Sequence, residues 1–428
     1  MNYEETLQYL SELGKFGSHL GLERIQGLLV ELDHPERRFK TIHITGTNGK
    51  GSVAEFLSNI LLASGLKVGT YTSPHFVKYN ERITINGQDV SNETFAELAT
   101  KVAAAEEKFK QKGGTQPTQF EVLTAMCFLH FAQENIDYGV IEVGMGGLWD
   151  STNVILPELS IITNVSLEHT NVLGKTVAAI SEQKAGIIKP LVPVVTGATA
   201  DALQVIADKA AQTRSQIYVY GRDFSSQAVS FNGKEQKFSF ATEGLQDEFA
   251  ITLLGDYQII NASMAIMAAE ILRSRNQAIS IENIKQGLYV TKWPGRLEKI
   301  ADKPAVILDG AHNPSGVTVL RNALDKYYPK GNRFFVFGMM KDKDISKVVS
   351  ILFRPSDKVF TVLADDSPRA ATAELLAQTI GKQAVVKKDI QTAYHDALAL
   401  AKEKDIVVVC GSLYLLGSFK TLQQKGKL

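Results

Sequence analysis

Short β-branched runs alternate with helical patterns along most of the chain, and this alternation is the feature that most limits its possible folds. The candidate strands of the first half are the segments FKTIHIT, KVGTYT, YGVIEV, LSIITNV and VPVVTG, and a helical pattern follows most of them. Two parallel strands need a long crossover between them, which is usually a helix, so this order is typical of βαβ units. The sequence therefore predicts an α/β fold with a mostly parallel sheet.

The pattern changes in residues 222–254, where polar and apolar residues alternate around the turn signals FNGKE and ATEGL. This alternation predicts a small antiparallel part, and a long helix is predicted over 258–275. The segment TKWPGRL then interrupts the periodicity and predicts a linker. Beyond it, AVILDG, RFFVFG, KVFTVL, AVVKK and DIVVVCG alternate with helical segments. We therefore expect an N-terminal domain of residues 1–291 and a Rossmann-like α/β domain of residues 292–428.

Charge and cysteine content exclude several classes of protein. The 46 Lys and Arg residues balance the 46 Asp and Glu residues, so the total charge favours neither a nucleic-acid nor a membrane-surface partner. Cys127 and Cys410 lie far apart in apolar runs, which is typical of buried thiols in a reducing compartment. The N-terminus does not resemble a signal peptide, and the uncharged stretch 406–419 is too short to span a bilayer. We expect a cytoplasmic protein, and nothing in the sequence indicates that it is other than a monomer.

The strongest chemical signal follows the first strand, where residues 45–52 read TGTNGKGS and a helical run comes next. A strand, a glycine-rich turn and a helix direct backbone N–H groups toward phosphate oxygens. Lys50 would reach the β- and γ-phosphates of ATP, and the Ser52 hydroxyl would bind Mg²⁺. Ile44 replaces the first glycine of the standard pattern, and Gly51 separates Lys50 from Ser52, so a glycine-rich turn without a ligand is the alternative. The predicted phosphate site consists of Thr47, Asn48, Gly49, Lys50, Gly51 and Ser52.

The segment GTNGKGS is similar to the variant P-loop of the ATP-dependent Mur-type ligases. Further segments narrow the resemblance to the folylpolyglutamate synthase and dihydrofolate synthase family. In chain order, they are TSPH (72–75), NER (80–82), IEVGMGG (141–147), DSTN (150–153), EHT (168–170), KAGIIK (184–189), WPGRLE (293–298), DGAHNP (309–314) and GSLY (411–414). Because the set is in the family's order from near residue 40 to near residue 415, the resemblance covers nearly the whole chain.

Glu142 lies near the carboxyl end of an apolar strand, where open α/β sheets bind ligands. A buried carboxylate is costly without a partner, so either a hard cation or a nearby backbone or lysine donor would satisfy it. The resemblance implies that Glu142 and His169, together with Ser52, bind Mg²⁺. The residue type alone favours a hydrogen-bonded surface or core histidine for His169. His43 is expected to be a half-buried strand residue rather than a ligand.

Lys184 lies in the helical segment TVAAISEQKAGIIK, and its position alone indicates a solvated lysine near a helix end. The resemblance implies instead that Lys184 carries a carbamate formed from CO₂. That reaction requires a neutral amine, so burial or neighbouring cations must lower its pKa. Asn153 is either a turn former or a supporting residue of the same site.

The resemblance also implies substrate contacts elsewhere. Ser73 and His75 follow the second strand and would lie in a loop beside the folate, although Ser73-Pro74 also suits a plain turn. Asn261 would contact adenine, since an amide offers both a donor and an acceptor, or it is an ordinary helix-interior residue. Arg296 would bring its guanidinium group to the phosphates or form an ion pair between domains.

A second cluster of candidates follows strands of the C-terminal domain. Asp309 and His312 come after an apolar strand and before a helix, which places them at a strand's carboxyl edge. A helix cap is the alternative for Asp309. Ser412 follows the last strand in the same way. The resemblance implies that His312 and Ser412 face the glutamate substrate and that Asp309 also contacts ATP.

The resemblance implies a ligase that uses ATP and Mg²⁺ to add L-glutamate to a folate through an acyl phosphate. Its catalytic candidates are Lys50, Lys184, Asp309 and His312. The first alternative is dihydrofolate synthase activity, which joins L-glutamate to dihydropteroate, either alone or together with the addition of glutamate to folate. Many bifunctional relatives have Arg after the twin glycines of the EVG segment, whereas this chain has Leu148-Trp149, which favours extension of tetrahydrofolate.

Two further functions remain open. The segments SPH, NER and DGAHNP disfavour a Mur-type ligase of the cell wall. A regulatory switch that only hydrolyses ATP belongs to a different class. A ligase would release phosphate only when both glutamate and a pterin acid are present, so stoichiometry separates the two.

Overall fold

The computed structural model describes residues 1–14 and 21–428, and the chain divides into two units. The first unit consists of Met1–Ser73, Tyr79–Thr252 and Ile259–Thr291. The second unit consists of Pro74–Lys78, Leu253–Gln258 and Lys292–Leu428. The second unit therefore includes two short segments that lie far from its main part in the sequence.

A mostly parallel eight-stranded sheet is the framework of the first unit. Its strands are β1 Lys40–Thr45, β2 Val68–Tyr71, β3 Ile83–Ile85, β4 Gln88–Asp89, β5 Tyr138–Glu142, β6 Leu159–Ile162, β7 Val194–Thr196 and β8 Ile217–Val219. The strand order is β4-β3-β2-β5-β1-β6-β7-β8. The β2–β3 and β3–β4 pairs are antiparallel, and the other pairs of these strands are parallel. Strand β1 lies between β5 and β6 and is buried along nearly its whole length. Its continuous apolar and β-branched character matches a strand with both faces covered.

Helices cover this sheet. They are α1 Tyr3–Gly14, α2 Glu23–Glu31, α3 Lys50–Ala63, α4 Asn92–Gln111, α5 Gln119–Gln133, α6 Thr170–Leu173, α7 Val177–Ala185, α8 Ala200–Gln212, α9 Asp256–Arg273 and α10 Ile281–Val290. Helix α5 begins with a capping box, because Thr118 and Glu121 each bond the other's backbone N–H. Helix α10 packs on α3 at Gly287, where a Cβ atom would lie 2.4 Å from the Cα of Ile60. A glycine is therefore required for this close approach.

The predicted antiparallel part is a separate three-stranded sheet. It consists of β9 Phe224–Phe231, β10 Gln236–Thr242 and β11 Gln246–Ile251, in the order β11-β10-β9. Phe238, Phe240 and Phe249 are fully buried on its inner face, which explains the polar–apolar alternation in the sequence. The long helix that follows, α9, begins two residues before the predicted start and ends two residues before the predicted end.

The second unit contains a six-stranded sheet in the order β12-β13-β17-β14-β15-β16. Its strands are β12 Glu298–Asp302, β13 Ala305–Asp309, β14 Arg333–Phe337, β15 Lys358–Thr361, β16 Ala384–Val386 and β17 Ile406–Cys410. Only β12 is antiparallel to its neighbour. The helices are α11 Pro314–Tyr327, α12 Ile345–Leu352, α13 Ala373–Ile380, α14 Ile390–Leu400 and α15 Leu413–Gln424.

Two cores lie on opposite faces of this second sheet. Ile307, Phe335 and Val408 pack with residues of α11, α12 and α13, whereas their strand neighbours Val306 and Val336 pack with α14 and α15. Alternate residues of a strand point to opposite faces, so both faces are covered by helices. This is the predicted Rossmann-like arrangement, and the predicted α/β class is confirmed for both sheets.

The core also contains both cysteine side chains. Cys127 and Cys410 are buried thiols without a disulfide, as expected. Within residues 1–14 and 21–428, no helix is both long enough and apolar enough to cross a membrane.

Candidate functional site

The predicted phosphate loop lies between β1 and α3. Gly49 occupies the N-cap position of α3 in the left-handed region, with φ 88°, and no side chain of the described residues caps the helix there. The first N–H groups of an α-helix have no intrahelical partner, and they carry the positive end of the helix dipole. A helix that begins on a glycine without a side-chain cap is therefore suited to bind an anion.

Lys50 and Ser52 lie in the first turn of α3. The Lys50 Nζ atom donates hydrogen bonds to the carbonyl oxygens of Gly46 and Thr47, at 3.1 and 3.4 Å. The ammonium group therefore lies against the loop that precedes it. Ser52 is buried, with 2% of its surface exposed. The structure thus gathers the predicted phosphate-binding residues around one helix start.

Glu142 ends the strand next to the phosphate loop. It pairs with Ile44 of β1, and its side chain is buried, with 4% exposed. Its Oε2 atom accepts a hydrogen bond from the backbone N–H of Ser73, at 2.9 Å. The predicted metal ligand and the first predicted folate-side residue are therefore in direct contact, through the Ser73 backbone rather than its hydroxyl group.

The residues near the phosphate loop fit Mg²⁺ chemically. Glu142 offers a carboxylate and Ser52 a hydroxyl oxygen, and Mg²⁺ prefers oxygen ligands. Within the described part of the chain, no group of three or more His, Cys, Asp or Glu side chains is arranged to hold an ion. Protein-bound Mg²⁺ usually takes one or two carboxylates and completes its shell with water and substrate phosphates. This donor set therefore suits an ion that arrives with a nucleotide.

His169 lies just before α6, with its backbone in the left-handed region at φ 51°. Its Nε2 atom is 3.8 Å from the Glu168 carboxylate, and 38% of the side chain is exposed. The imidazole group is thus accessible, and its role as a metal ligand stays a prediction.

Lys184 is buried in α7, with 3% exposed, so the solvated lysine indicated by its position alone is wrong. Burial and, to a smaller extent, the positive charge of Lys50 lower the pKa of its amine to about 7, against the opposing effects of Glu168 and Asp150. A large part of the amine is therefore neutral near neutral pH.

A buried hydrogen-bonded chain supports the loop after Glu142. His43 is completely buried rather than half-buried, and its Nε2 atom lies 2.8 Å from the Thr152 hydroxyl oxygen. That hydroxyl donates to Asp150 Oδ1 at 2.6 Å, and Asp150 Oδ2 accepts the N–H of Met145 at 2.9 Å. Burial lowers the pKa of His43 to about 3 and raises the pKa of Asp150. The uncharged imidazole explains how a histidine can occupy the centre of the sheet.

Asn153 connects two of the segments that carry the resemblance. Its Nδ2 atom donates to the carbonyl oxygens of Leu148 and Gly186, at 3.0 and 3.1 Å. One amide thus joins the segment after Glu142 to the segment after Lys184. Its role as a supporting residue of the site stays a prediction.

Asn261 lies on α9 with 4% of its surface exposed. A Cβ atom at Gly49 would lie 2.5 Å from Asn261 Oδ1, so the amide faces the phosphate loop at the residue that starts α3. The position is compatible with a nucleotide contact, and recognition of adenine stays a prediction.

In the second unit, Asp309 ends β13 and is buried, with 4% exposed. Its two carboxylate oxygens accept the backbone N–H groups of Leu297 and Ala311, both at 2.9 Å. Asp309 is not a helix cap, because α11 is capped by the Asn313 side chain. Burial raises the pKa of Asp309, whereas the nearby charge of Arg296 lowers it.

Three other predicted residues of the second unit lie near the same strand ends. Arg296 donates to the carbonyl oxygen of Gly295 at 3.2 Å, and the His312 Nδ1 atom lies 2.9 Å from the carbonyl oxygen of Gly310. Ser412 is buried and caps α15, because its hydroxyl oxygen accepts the N–H of Tyr414 at 3.1 Å.

His75 is half-buried and belongs to the segment Pro74–Lys78 of the second unit, whereas Ser73 belongs to the first unit. The two predicted folate-side neighbours thus belong to different units.

The sequence did not identify the residues that hold the phosphate loop in place. Thr163 and Asn164 follow β6, the other neighbour of β1, and both bond the backbone of Asn48. Two polar residues directly after a central strand were the available signal, since they lie at the edge where such sheets bind ligands.

Comparisons with known proteins agree with the predicted family. The Mur ligase middle domain matches residues 44–269, and the Mur ligase glutamate ligase domain matches residues 295–413. The chain is 38% identical to the folylpolyglutamate synthase of Lacticaseibacillus casei, over 100% of both proteins. It is 35% identical to the dihydrofolate synthase/folylpolyglutamate synthase of Bacillus subtilis, over 98% of each.

The fold agrees as well. The structure of Escherichia coli FolC in complex with DHPP and ADP has a TM-score of 0.91 and 28% sequence identity, and the match covers 100% of this chain and 99% of that chain. The predicted resemblance is confirmed over the full length. The chain belongs to the folylpolyglutamate synthase and dihydrofolate synthase family of Mur-type ligases.

Proposed function

We propose that this protein is an ATP-dependent ligase that adds L-glutamate to a tetrahydrofolate or a folylpolyglutamate. The observation that carries the proposal is the start of α3, where a glycine replaces the side-chain cap and Lys50 begins the helix. The strand before this loop, β1, pairs with β5, which ends in the buried Glu142. Phosphate binding at a helix start and an oxygen ligand for Mg²⁺ are the two requirements of an enzyme that uses MgATP.

The chemistry follows from the poor reactivity of a carboxylate. The substrate carboxylate oxygen attacks the γ-phosphorus of ATP, the bond to the β-phosphate oxygen breaks, and an acyl phosphate and ADP form. The amine of L-glutamate then attacks the acyl carbon, loses a proton and displaces inorganic phosphate. The resemblance assigns Lys50, Arg296 and His312 to the stabilisation of the negative charge on the transferred phosphoryl group.

Ser52, Glu142 and His169 would hold Mg²⁺, which supplies positive charge to the phosphate oxygens. Glu142 is already fixed by the N–H of Ser73, so its carboxylate is oriented before the ion binds. Burial of Glu142 also makes its charge more effective, because water screens it less.

We also propose that Lys184 carries a carbamate. Its amine has a pKa lowered to about 7, so much of it is available as the neutral nucleophile that attacks CO₂. The product would be an anion close to Lys50, where a buried cation otherwise repels the P-loop lysine. Intact mass measured in bicarbonate at alkaline pH would show the added CO₂, and a mass of the unmodified chain alone would contradict the assignment.

The remaining predicted residues are assigned to substrates. Residues Thr47 to Ser52, Asn261, Arg296 and Asp309 would contact ATP, Ser73 and His75 the folate, and His312 and Ser412 the glutamate. The burial of Asn261 against Gly49 and the strand-end position of Asp309 support the first assignment. The position of Ser412 directly after the last strand supports the assignment to glutamate. We assign residues 1–291 to an ATP-binding domain and residues 292–428 to a glutamate-ligase domain.

The choice of acceptor has two candidates. The folylpolyglutamate synthase of L. casei supports tetrahydrofolate, and the B. subtilis relative, whose name contains both activities, supports dihydropteroate as an additional acceptor. The resemblance implies an arginine at this position in many bifunctional members, and Leu148-Trp149 in its place favours the first candidate.

The experiment is a phosphate-release assay of the purified protein with ATP, Mg²⁺ and radiolabelled L-glutamate. Tetrahydrofolate and dihydropteroate are supplied in separate reactions. We expect one phosphate per glutamate incorporated, and no phosphate when either glutamate or the acceptor is omitted. Phosphate release from ATP alone would support the regulatory switch instead. Incorporation of glutamate only with dihydropteroate would support dihydrofolate synthase activity.

We further infer that the protein works as a monomer in the cytoplasm. Its two buried, reduced cysteines suit a reducing compartment. Sedimentation at assay concentrations should give the mass of a single chain.

A further inference from the structure

The segment of residues 163–166, directly after β6, contacts the phosphate loop at several backbone atoms. The Thr163 hydroxyl donates to the carbonyl oxygen of Asn48 at 2.7 Å. The N–H of Thr47 donates to the carbonyl oxygen of Asn164 at 2.9 Å, and the N–H of Ser166 donates to the Thr47 hydroxyl at 3.0 Å. We call this segment the clamp segment. It holds the part of the phosphate loop that precedes Gly49.

Asn164 makes the most specific of these contacts. Its Oδ1 atom accepts the N–H of Asn48 at 3.0 Å, and its Nδ2 atom donates to the carbonyl oxygen of the same residue at 2.8 Å. One side-chain amide therefore satisfies both backbone groups of Asn48, as a neighbouring β-strand would. This fixes the orientation of the two peptide groups around Asn48, directly before the left-handed Gly49.

The clamp segment also explains the glycine at position 46. A Cβ atom on Gly46 would lie 1.8 Å from the Thr163 hydroxyl oxygen, so any other residue would push the loop away from the segment. The backbone of the loop and the clamp segment are thus fitted to each other. Thr163 has 1% of its surface exposed, so it cannot move aside into solvent.

These hydrogen bonds limit which backbone N–H groups of the phosphate loop are available to bind a phosphate. The N–H groups of Thr47 and Asn48 bond Asn164, so we expect the N–H groups from Gly49 into the first turn of α3 to bind the triphosphate. The geometry of those groups depends on the peptide that precedes them. The chain continues from the clamp segment to Glu168 and His169, so the clamp segment lies between the phosphate loop and the predicted metal ligand His169.

We propose that Asn164 is a positioning residue for ATP, which fixes the phosphate loop through the backbone of Asn48. The proposal rests on the proposed function, because it names a residue that serves the same nucleotide site. It requires no contact between Asn164 and the nucleotide. Its effect is to keep the loop in the binding conformation before ATP arrives, so that less of the binding free energy is spent on ordering.

The test compares Asn164→Ala with Asn283→Ala. Asn283 is a matched control, because its Nδ2 atom also donates to a backbone carbonyl, that of Ala63 at the end of α3 away from the phosphate loop. The affinities for ATP and ADP with Mg²⁺ are measured by calorimetry, and KM and kcat are measured in the ligase assay. Two lost backbone hydrogen bonds should weaken ATP affinity and raise the KM for ATP by about 10-fold to 100-fold.

The control should bind ATP as the unsubstituted protein does, and kcat at saturating ATP should change little in Asn164→Ala. A merely structural role would lower kcat through loss of active protein and leave the KM for ATP unchanged, and that result would overturn the proposal. Equal ATP affinity in all three proteins would overturn it too. If the unsubstituted protein itself bound no ATP, the proposed function would fail instead, so the two failures are distinguishable.

Thr163→Val provides a second measurement. This substitution keeps the size of the side chain, whereas Asn164→Ala leaves a cavity. It removes only the hydroxyl donor, and the Asn48 carbonyl then keeps its bond from Asn164. We expect a smaller rise in the KM for ATP than in Asn164→Ala. Because both side chains bond the same carbonyl, the double variant should differ from the sum of the single effects.

Discussion

The helix after the phosphate loop of the first unit begins differently from the helices of the second unit. In the first unit, α3 starts on a left-handed glycine, and within the described residues no side chain caps it. In the second unit, Asn313, Thr372 and Ser412 occupy the N-cap positions of α11, α13 and α15 with extended backbones, and each side chain accepts a hydrogen bond from its own helix. The second unit thus satisfies its helix starts internally, whereas the first unit leaves α3 for an external anion.

This difference separates binding from stability. A group that serves the start of α3 should matter for nucleotide binding and little for the fold, because its partner is a ligand. A cap in the second unit should matter for the fold first, because its partner is the chain itself. Substitutions in the two units can therefore test whether the two kinds of helix start have these different roles.

The largest effect is expected for Lys50→Ala. The hydrogen bonds of the Lys50 amine go to carbonyls of its own loop, so its removal should change the melting temperature little. Loss of a charged donor to the transferred phosphoryl group should lower kcat/KM for ATP by about 100-fold to 1,000-fold, which is about 3–4 kcal/mol of transition-state stabilisation.

Lys40→Ala is the matched control. Lys40 is exposed at the opposite end of β1, where its amine lies 5.5 Å from the centroid of the Tyr138 ring. It should keep full activity. Full turnover in Lys50→Ala would show that the uncapped helix start has no role in catalysis.

The second effect concerns Lys184, whose cost to stability depends on pH. Its folded-state pKa is lowered to about 7, below the usual 10.5 of an unfolded lysine. The unfolded state therefore binds more protons between pH 7 and 10.5, so this penalty is largest below pH 7 and disappears as pH rises toward 10.5. Without bicarbonate, Lys184→Met should melt a few °C higher than the unsubstituted protein at pH 6, and the difference should shrink by pH 10.

The same variant should lose most of its ligase activity if Lys184 is carbamylated during turnover. Lys189→Met is the control for the loss of a buried lysine. The amine of Lys189 also has a pKa lowered by burial, but it donates a hydrogen bond to the carbonyl oxygen of Asn153. Melting curves from pH 6 to 10 measure the effect. A constant difference across this range would contradict a buried, neutral amine at Lys184.

The sequence predicted the strands of the fold better than the burial of individual side chains. The strands were predictable because a run such as IVVVC can only be buried on both faces of a parallel sheet. The lysine at 184 and the histidine at 43 were placed too close to solvent, since burial of a polar side chain depends on distant segments that pack over it. The helix that contains Lys184 and the strand that contains His43 were predicted correctly. The side chains that pack around these two residues were not.

Asn164 illustrates the same limit within the site. An asparagine after a strand is an ordinary turn former, and its bidentate contact with Asn48 joins residues 116 positions apart. The local pattern contains no information about such a partner. The phosphate loop itself was predictable, because its glycines and lysine are adjacent in the sequence and act through the backbone.

The smallest effect compares two hydroxyl caps of the second unit. Ser412 accepts the N–H of Tyr414 at the start of α15, and Thr372 accepts the N–H of Leu375 at the start of α13. Each alanine substitution removes one cap, so each should lower the free energy of unfolding by about 1 kcal/mol in denaturant titrations. Only Ser412→Ala should also raise the KM for L-glutamate, by a few-fold, because Thr372 is not among the predicted substrate contacts. An unchanged KM for glutamate would show that Ser412 acts only as a helix cap. The starts of α13 and α15 would then both have a purely structural role.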